Sequence, residues 1–169
     1  IEDTESLSYA AQVIKDGRLG VATSTKHGDA AHVLGKARDL TAYGAPAPYS
    51  FPAPVPVRRP AIYSEDVDKV TARKMIEMGE ELTDFIRRLH SDVNGGARIS
   101  KVVRRNSIVN TKGLDASWDG TSFAVLSVVQ LVEGQNMIDV FDYQSSTALD
   151  LDLERIKETL AWKLDLMRK

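Results

Sequence analysis

Few side chains in this sequence could carry chemistry, and their spacing narrows the choice further. There are three histidines, His27, His32 and His90. Two metal ligands on one helical face want a spacing of three or four residues. His27 and His32 miss that spacing, with His27 before the start of a helix, so they read as solvated histidines. Glu77, Glu80, Glu81 and Asp84 cluster on one helical stretch. Glu77 with Glu80, or Glu81 with Asp84, could share a metal, but no Glu-x-x-His partner accompanies them. They lie opposite an apolar stripe and are balanced by Arg73, Lys74, Arg87 and Arg88, the pattern of a solvated face. Arg98, Lys101, Arg104, Arg105 and Lys112 form a basic stretch with no aromatic residue among them to stack on bases. Alternation puts Arg98 and Arg104 on one face and Lys101 and Arg105 on the other. A charge-protected edge strand accounts for that pattern without a ligand. The chain has no cysteine, hence no disulfide, thiolate metal site or Cys nucleophile. No G-x-S-x-G elbow, Walker loop or G-x-G-x-x-G stretch occurs. No catalytic, cofactor-binding or metal-ligating residue is assigned.

The elements that would position these groups are clearer. Leu7 to Lys15 and Arg18 to Thr25 are strand-like and flank Asp16-Gly17, the dipeptide of a type I′ hairpin turn. Asp29 is a candidate N-cap for a helix whose stripe is Ala30, Val33, Leu34, Ala37 and Leu40, ending near Tyr43 with Gly44 as its C′ residue. All 6 prolines fall between Pro46 and Pro60, which predicts an extended connector rather than a helix or central strand. The next helix opens at Thr71, with Asp68 as a competing cap. It carries Met75, Met78, Leu82, Phe85 and Leu89 on one stripe, widened by Ile76 and Ile86, and ends at His90–Gly96. From Ala97 to Ser146 the rhythm is β. Arg98–Val109 is one strand or two, Asn110–Gly113 turns, and Leu114–Trp118 resumes. Asp119-Gly120 marks a turn or bulge, Thr121–Val132 reads as a central strand, and Met137–Tyr143 returns. A last helix follows a capping-box-like Thr147-x-x-Asp150 and presents Leu149, Leu153, Ile156, Leu160, Leu164 and Met167.

The expected fold is α+β: an antiparallel sheet with the Thr71–Leu89 and Asp150–Met167 helices packed on one face, plus a small N-terminal hairpin–helix lobe. The expected organisation is a lobe at 1–45, a connector at 46–60, and a helix–meander–helix unit at 61–169. Composition agrees with a globular chain: 169 residues, 43% hydrophobic and 27% charged, with a formal net charge of −2. That charge argues against wholesale nucleic-acid binding. No apolar run has the length of a membrane span, and the lack of cysteine suggests a reducing, cytoplasmic setting. The chain opens on Ile1 and reaches Lys169 still in helical rhythm, which suggests a piece of a longer protein.

The order of motifs carries more. Asp16-Gly17-Arg18-Leu19-Gly20 with Ala22-Thr23-Ser24-Thr25, a helix reaching Ala42-Tyr43-Gly44, and Ser50-Phe51-Pro52 together resemble the N-terminal region of the TldD/PmbA family, often labelled modulators of DNA gyrase. Asn110-Thr111-Lys112-Gly113 stands where that family has an "NS.G" turn, and Thr121 where it has a strand threonine. The likeness covers nearly the whole chain. It implies the N-terminal domain of a zinc-dependent peptidase that matures or degrades peptides, working with a homologous subunit as homo- or heterodimer. In TldD-type subunits the zinc lies on an HExxxH helix downstream of this region, and PmbA-type subunits lack it. HExxxH does not occur here, so no catalytic residue carries over, and zinc is implied only for the parent. The alternative is an interaction or regulatory module, of the gyrase-modulator type, that receives an extended peptide at a sheet edge.

Overall fold

The computed structural model describes residues 1–56 and 60–167, without the side chain of Glu133. The chain divides into two compact units, Ile1–Val55 with Val109–Leu114, and Pro56–Ile108 with Asp115–Lys169. Residues 57–59 of the expected Pro46–Pro60 connector lie outside the described residues.

In the first unit, β1 (Tyr9–Lys15) and β2 (Arg18–Ser24) form the antiparallel hairpin. Asp16 and Gly17 both take positive φ, 51° and 71°, as the Asp-Gly turn demands. Helix α1 (Ala30–Leu40) and a 3₁₀ turn (Thr41–Tyr43) lie against β2. The helix buries only Val33 and Ala37; Leu34 and Leu40 are exposed, so the stripe is narrower than expected. Asp29 caps through its carbonyl, which accepts from Val33 N–H at 2.9 Å, and not through its carboxylate. Gly44 has φ −73° and is no left-handed C′ residue. Its role is close approach: a Cβ there would stand 1.8 Å from the Leu19 carbonyl oxygen, and one on Gly20 would stand 1.9 Å from that of Ala37. The first residues of the Pro-rich segment then run beside β2. Leu19 N–H donates to Ala45 O, and Ala47 N–H donates to Gly17 O at 2.7 Å. Pro46 sits opposite Arg18 on this outer side, where its missing N–H costs no ladder bond.

The second unit is a three-stranded antiparallel sheet with strand order β3-β4-β5, where β3 is Val93–Val109, β4 Asp115–Glu133 and β5 Asn136–Ser146. The meander is as expected, and the β-branched strand is central. Three boundaries differ. β3 begins at Val93 and runs through Gly95-Gly96, because Gly95 lies so close to β4 that a Cβ would stand 2.2 Å from Val128 O. β4 passes through Asp119-Gly120 without turning. Thr121 N–H donates to Ile62 O there, and Gly120 leaves space for the Ile62 side chain, 3.3 Å from where a Cβ would be. A short helix, α2 (Glu65–Lys69), was not expected. Ser64 Oγ caps it by accepting from Val67 N–H, so Asp68 lies inside α2 and leaves Thr71 alone to cap the next helix.

Helix α3 (Ala72–Leu89) is capped by Thr71 Oγ1, which accepts from Lys74 N–H. Its stripe buries Met78, Leu82 and Ile86, while Ile76 points away to solvent. Helix α4 (Leu153–Met167) buries Ile156, Leu160 and Leu164 and exposes Met167. Its cap is Asp152, whose Oδ1 accepts from the Glu154 and Arg155 N–H groups; the expected Thr147–Asp150 pair does not serve. The α2, α3 and α4 side chains meet Phe123, Val125, Val129, Leu131 and Val140 in one buried cluster. The helices therefore cover one face of the sheet, as expected, and each strand gives its alternate residues to them.

Candidate functional site

The residues with chemical potential do not converge. Among the described residues no group of three His, Asp or Glu side chains could hold a metal ion. His27 and His32 are exposed, one in the turn before α1 and one on it. His90 ends α3 and accepts a hydrogen bond at Nδ1 from Asp92 N–H, 3.2 Å away. On α3, Glu77 meets Arg73 at 3.2 Å and Lys74 at 3.9 Å, and Asp84 meets Arg87 at 3.7 Å. Glu81 reaches across to α4, where Lys157 Nζ donates to it at 2.6 Å and to Glu154 at 2.5 Å. The hydrogen bond to Glu154 first, and then the one to Glu81, hold the Lys157 pKa above its ordinary value. Spacing along α3 could not foretell this bridge. The signal was on α4, where Lys157 flanks the buried Ile156–Leu160 stripe and lays its stem along it.

The basic stretch is a sheet edge, and part of it is structural. Lys101 Nζ donates to the carbonyls of Asp68 and Val70, at 2.8 and 2.9 Å, completing the C-terminal end of α2. Lys112 Nζ donates to Ser50 Oγ at 2.8 Å. Arg98, Arg104 and Arg105 remain exposed. An open polar cleft of about 380 Å³ in the first unit is lined by Lys15, Asp16, Arg18, Arg38, Asp39, Thr41 and Ala42. Two of its cations are engaged: Arg18 donates to Gly44 O, and Arg38 faces Asp39 at 3.7 Å. Among the described residues no nucleophile stands beside a base there.

The two positions that carried the sequence resemblance are fasteners. Asn110 Oδ1 accepts from the N–H groups of Lys112 and Leu114, shaping the β3–β4 turn, and Asn110 Nδ2 donates to Pro52 O at 2.8 Å. That side chain ties the turn to the Pro-rich segment. Thr121, almost wholly buried, accepts from Ser64 N–H at 2.9 Å and donates its hydroxyl proton to Thr147 O at 2.8 Å. It joins the start of α2, the sheet and the approach to α4. Zinc would need three converging nitrogen or carboxylate donors, so the described residues do not fit it and no chemical step is derived through it.

A family model described as the PmbA/TldA metallopeptidase central domain matches residues 65–167. No curated protein matches the sequence. Among solved structures, TldE from Thermococcus kodakarensis superposes with a TM-score of 0.73 at 20% identity, over 91% of this chain and 36% of that one. A Thermotoga maritima protein described as a candidate modulator of a DNA gyrase superposes with a TM-score of 0.76 at 17% identity, over 95% of this chain and 37% of that one. These likenesses show a shared fold, and this chain spans little more than a third of either relative. The family match refines the expectation of an N-terminal domain, since the stretch it covers is described as the central one. No helix among the described residues is long and apolar enough to cross a membrane. With the family model matching well over half of its length, from α2 to α4, the chain belongs to the PmbA/TldD metallopeptidase family.

Proposed function

We propose that this chain is a non-catalytic domain of a PmbA/TldD-type zinc metallopeptidase subunit that matures or degrades peptides in the cytoplasm, paired with a homologous subunit. The family match over residues 65–167 carries the reading. In this reading the chain shapes the chamber and the subunit contact, while metal ligands and the general base come from elsewhere in the parent. Zinc there would polarise the scissile carbonyl and lower the pKa of its bound water. The compartment rests on the absence of cysteine.

The test is to assay this chain alone and a longer protein that contains it against unfolded peptides, with and without a chelator. The chain alone should neither cleave nor hold stoichiometric zinc, and the longer protein should cleave only when zinc is present. An HExxxH in the adjoining coding sequence would mark the parent as TldD-like. Chelator-sensitive cleavage by this chain alone would overturn the reading. A second reading is an interaction module of the gyrase-modulator type, favoured by the edge position of the eleven-residue strand β5. An extended peptide could add there as a further strand. It predicts peptide binding that a proline placed in β5 abolishes, without any cleavage.

A further inference from the structure

The start of β3 sets a backbone amide against a side-chain carboxamide. The chain has four asparagines, Asn94, Asn106, Asn110 and Asn136, followed by glycine, serine, threonine and methionine in turn. Only after Asn94 is the next amide nitrogen unshielded by a side chain of its own. Asn94 is exposed, and its Oδ1 accepts a hydrogen bond from Gly95 N–H at 2.9 Å. A C=O bond is short, so the Gly95 nitrogen lies within about 4 Å of Asn94 Cγ.

The glycine cannot be exchanged. A Cβ on residue 95 would stand 2.2 Å from Val128 O and 3.1 Å from the carbon of that carbonyl. β3 can pass β4 at this point only with a residue that lacks a side chain, and the same lack leaves its nitrogen open to reaction. A packing requirement of the sheet therefore creates a reactive dipeptide. The backbone around it is lightly held. Val93 N–H reaches His90 O at 3.3 Å and Val132 N–H reaches Asp92 O at 3.4 Å, both longer than an ordinary hydrogen bond. Ends of elements open at low cost, and ring closure needs only rotations within Asn94.

We propose that Asn94 deamidates spontaneously, with the Gly95 nitrogen as nucleophile, and that the product unfastens the start of β3. The Gly95 nitrogen gives its proton to a solvent base and bonds to Asn94 Cγ. The bond from Cγ to its NH2 group breaks, and ammonia leaves with a proton taken from water. Water then opens the succinimide and is the sole co-reactant. Opening at the side-chain carbonyl gives aspartate. Opening at the backbone carbonyl gives isoaspartate, whose main chain runs through the former side chain. Either product places a carboxylate two positions from that of Asp92. Isoaspartate also lengthens the main chain by a methylene just before Gly95. That moves Gly95 out of register with Val128 O and pulls Asp92 O away from Val132 N–H.

The test ages the full folded chain at mildly alkaline pH and digests it with pepsin in acid, where further deamidation is slow. Peptide mapping should show the amide-to-acid mass gain at Asn94 severalfold faster than at Asn106, which is exposed on the same strand but precedes a serine. A protein-isoaspartate methyltransferase with a labelled methyl donor should place isoaspartate in the same peptide. Hydrogen exchange of the separated isoaspartyl form should show lost protection at Val132, while the centre of β4 around Phe123 keeps its own. Asn94→Gln, whose longer side chain closes its ring far more slowly, should keep the parent's circular dichroism and should age without that loss. Conversion at Asn94 no faster than at Asn106 would overturn the proposal, since the strand would then hold the dipeptide out of reach of ring closure. An isoaspartyl form with Val132 still protected would overturn it as well, as would equal loss of Val132 protection in aged Asn94→Gln.

Discussion

In the unit built on the β1–β2 hairpin, the buried aliphatic side chains are Val33, Ala37 and Ala47. In the unit built on β3-β4-β5, a continuous cluster runs from Val67 through Leu82, Ile86, Phe123 and Leu131 to Ile156, Leu160 and Leu164. The first unit gains its compactness differently, by bringing backbone against backbone: Gly20 lies against the carbonyl of Ala37, and Gly44 against that of Leu19. The sheet unit therefore depends chiefly on the volume of its side chains, with a comparable close approach at Gly95, and the hairpin unit depends on their absence. The two should fail under opposite kinds of substitution, removal of atoms in the sheet unit and addition of atoms in the hairpin unit.

The largest effect expected is in the sheet unit. Phe123 is fully buried in β4 at the centre of the cluster. Phe123→Ala should cost about 3–5 kcal/mol, read from the denaturant midpoint. The complementary substitution is Gly44→Ala. Its methyl would stand 1.8 Å from the Leu19 carbonyl, with backbone on both sides and no flexible side chain to give way. Overpacking of this kind should cost about 3 kcal/mol, and hydrogen exchange should locate the loss in the β1–β2 amides while β4 stays protected. If Gly44→Ala instead left β1–β2 protection intact, the contrast between the units would fail at its root.

The same contrast explains which features were legible in the sequence. Asp16-Gly17 announced its hairpin because few dipeptides accept two consecutive positive φ values. The central strand announced itself because a run apolar at successive positions needs neighbours on both sides. Thr71 was legible as a cap, and the α3 and α4 stripes were legible at Leu82, Ile86, Ile156 and Leu160. Features that depend on tertiary contacts were not. Asp119-Gly120 has the composition of a turn, but Ile62 crosses at that point and the glycine serves the crossing. Leu34 and Leu40 fit the period of α1, yet the two-stranded β1–β2 hairpin covers only Val33 and Ala37. Helix α2 is too short to show a period. The open face of the sheet was legible only as apolar character on both sides of β4. Asn110 and Thr121 were found through resemblance, and their hydrogen bonds to segments about sixty residues away explain why local pattern could not assign them a role.

Two intermediate effects sharpen the account of the sheet unit. Thr121→Val keeps the volume and removes the hydroxyl, leaving Ser64 N–H and Thr147 O without this partner. The expected cost is about 1–3 kcal/mol, with early loss of protection in α2. Lys157→Met removes the α3–α4 bridge and should cost about 0.5–1 kcal/mol at neutral pH, because Glu81 and Glu154 are well exposed. The pH dependence has a definite sign. The folded-state pKa of Lys157 is raised above its ordinary 10.5, so the contribution is present in full below that value and is lost as pH rises through the folded pKa. Melting temperatures of the parent and Lys157→Met should therefore differ at pH 7 and converge in strong alkali. Tyr63, raised chiefly by its hydrogen bond to Asp68, falls in the same direction and is present in both proteins, so the comparison cancels it.

The smallest effect probes how dry the sheet core is. Ser127 lies on the covered face of β4, opposite Asp142 and between Val125 and Val129, with no exposed surface. Its Oγ has no hydrogen-bond partner among the described residues. Asp142, which could have served, is taken by Lys163 Nζ at 2.9 Å and Gln144 Nε2 at 3.1 Å. A buried hydroxyl without a partner has given up its water bonds for nothing, so its removal relieves a desolvation cost. The void left by one oxygen atom is small and offsets part of that relief. Ser127→Ala should therefore stabilise the chain by about 0.5 kcal/mol, seen as a higher denaturant midpoint at unchanged m-value. Destabilisation by 1 kcal/mol or more would mean that the hydroxyl does meet a partner in solution, and that the sheet unit holds together through a buried polar contact as well as through apolar volume.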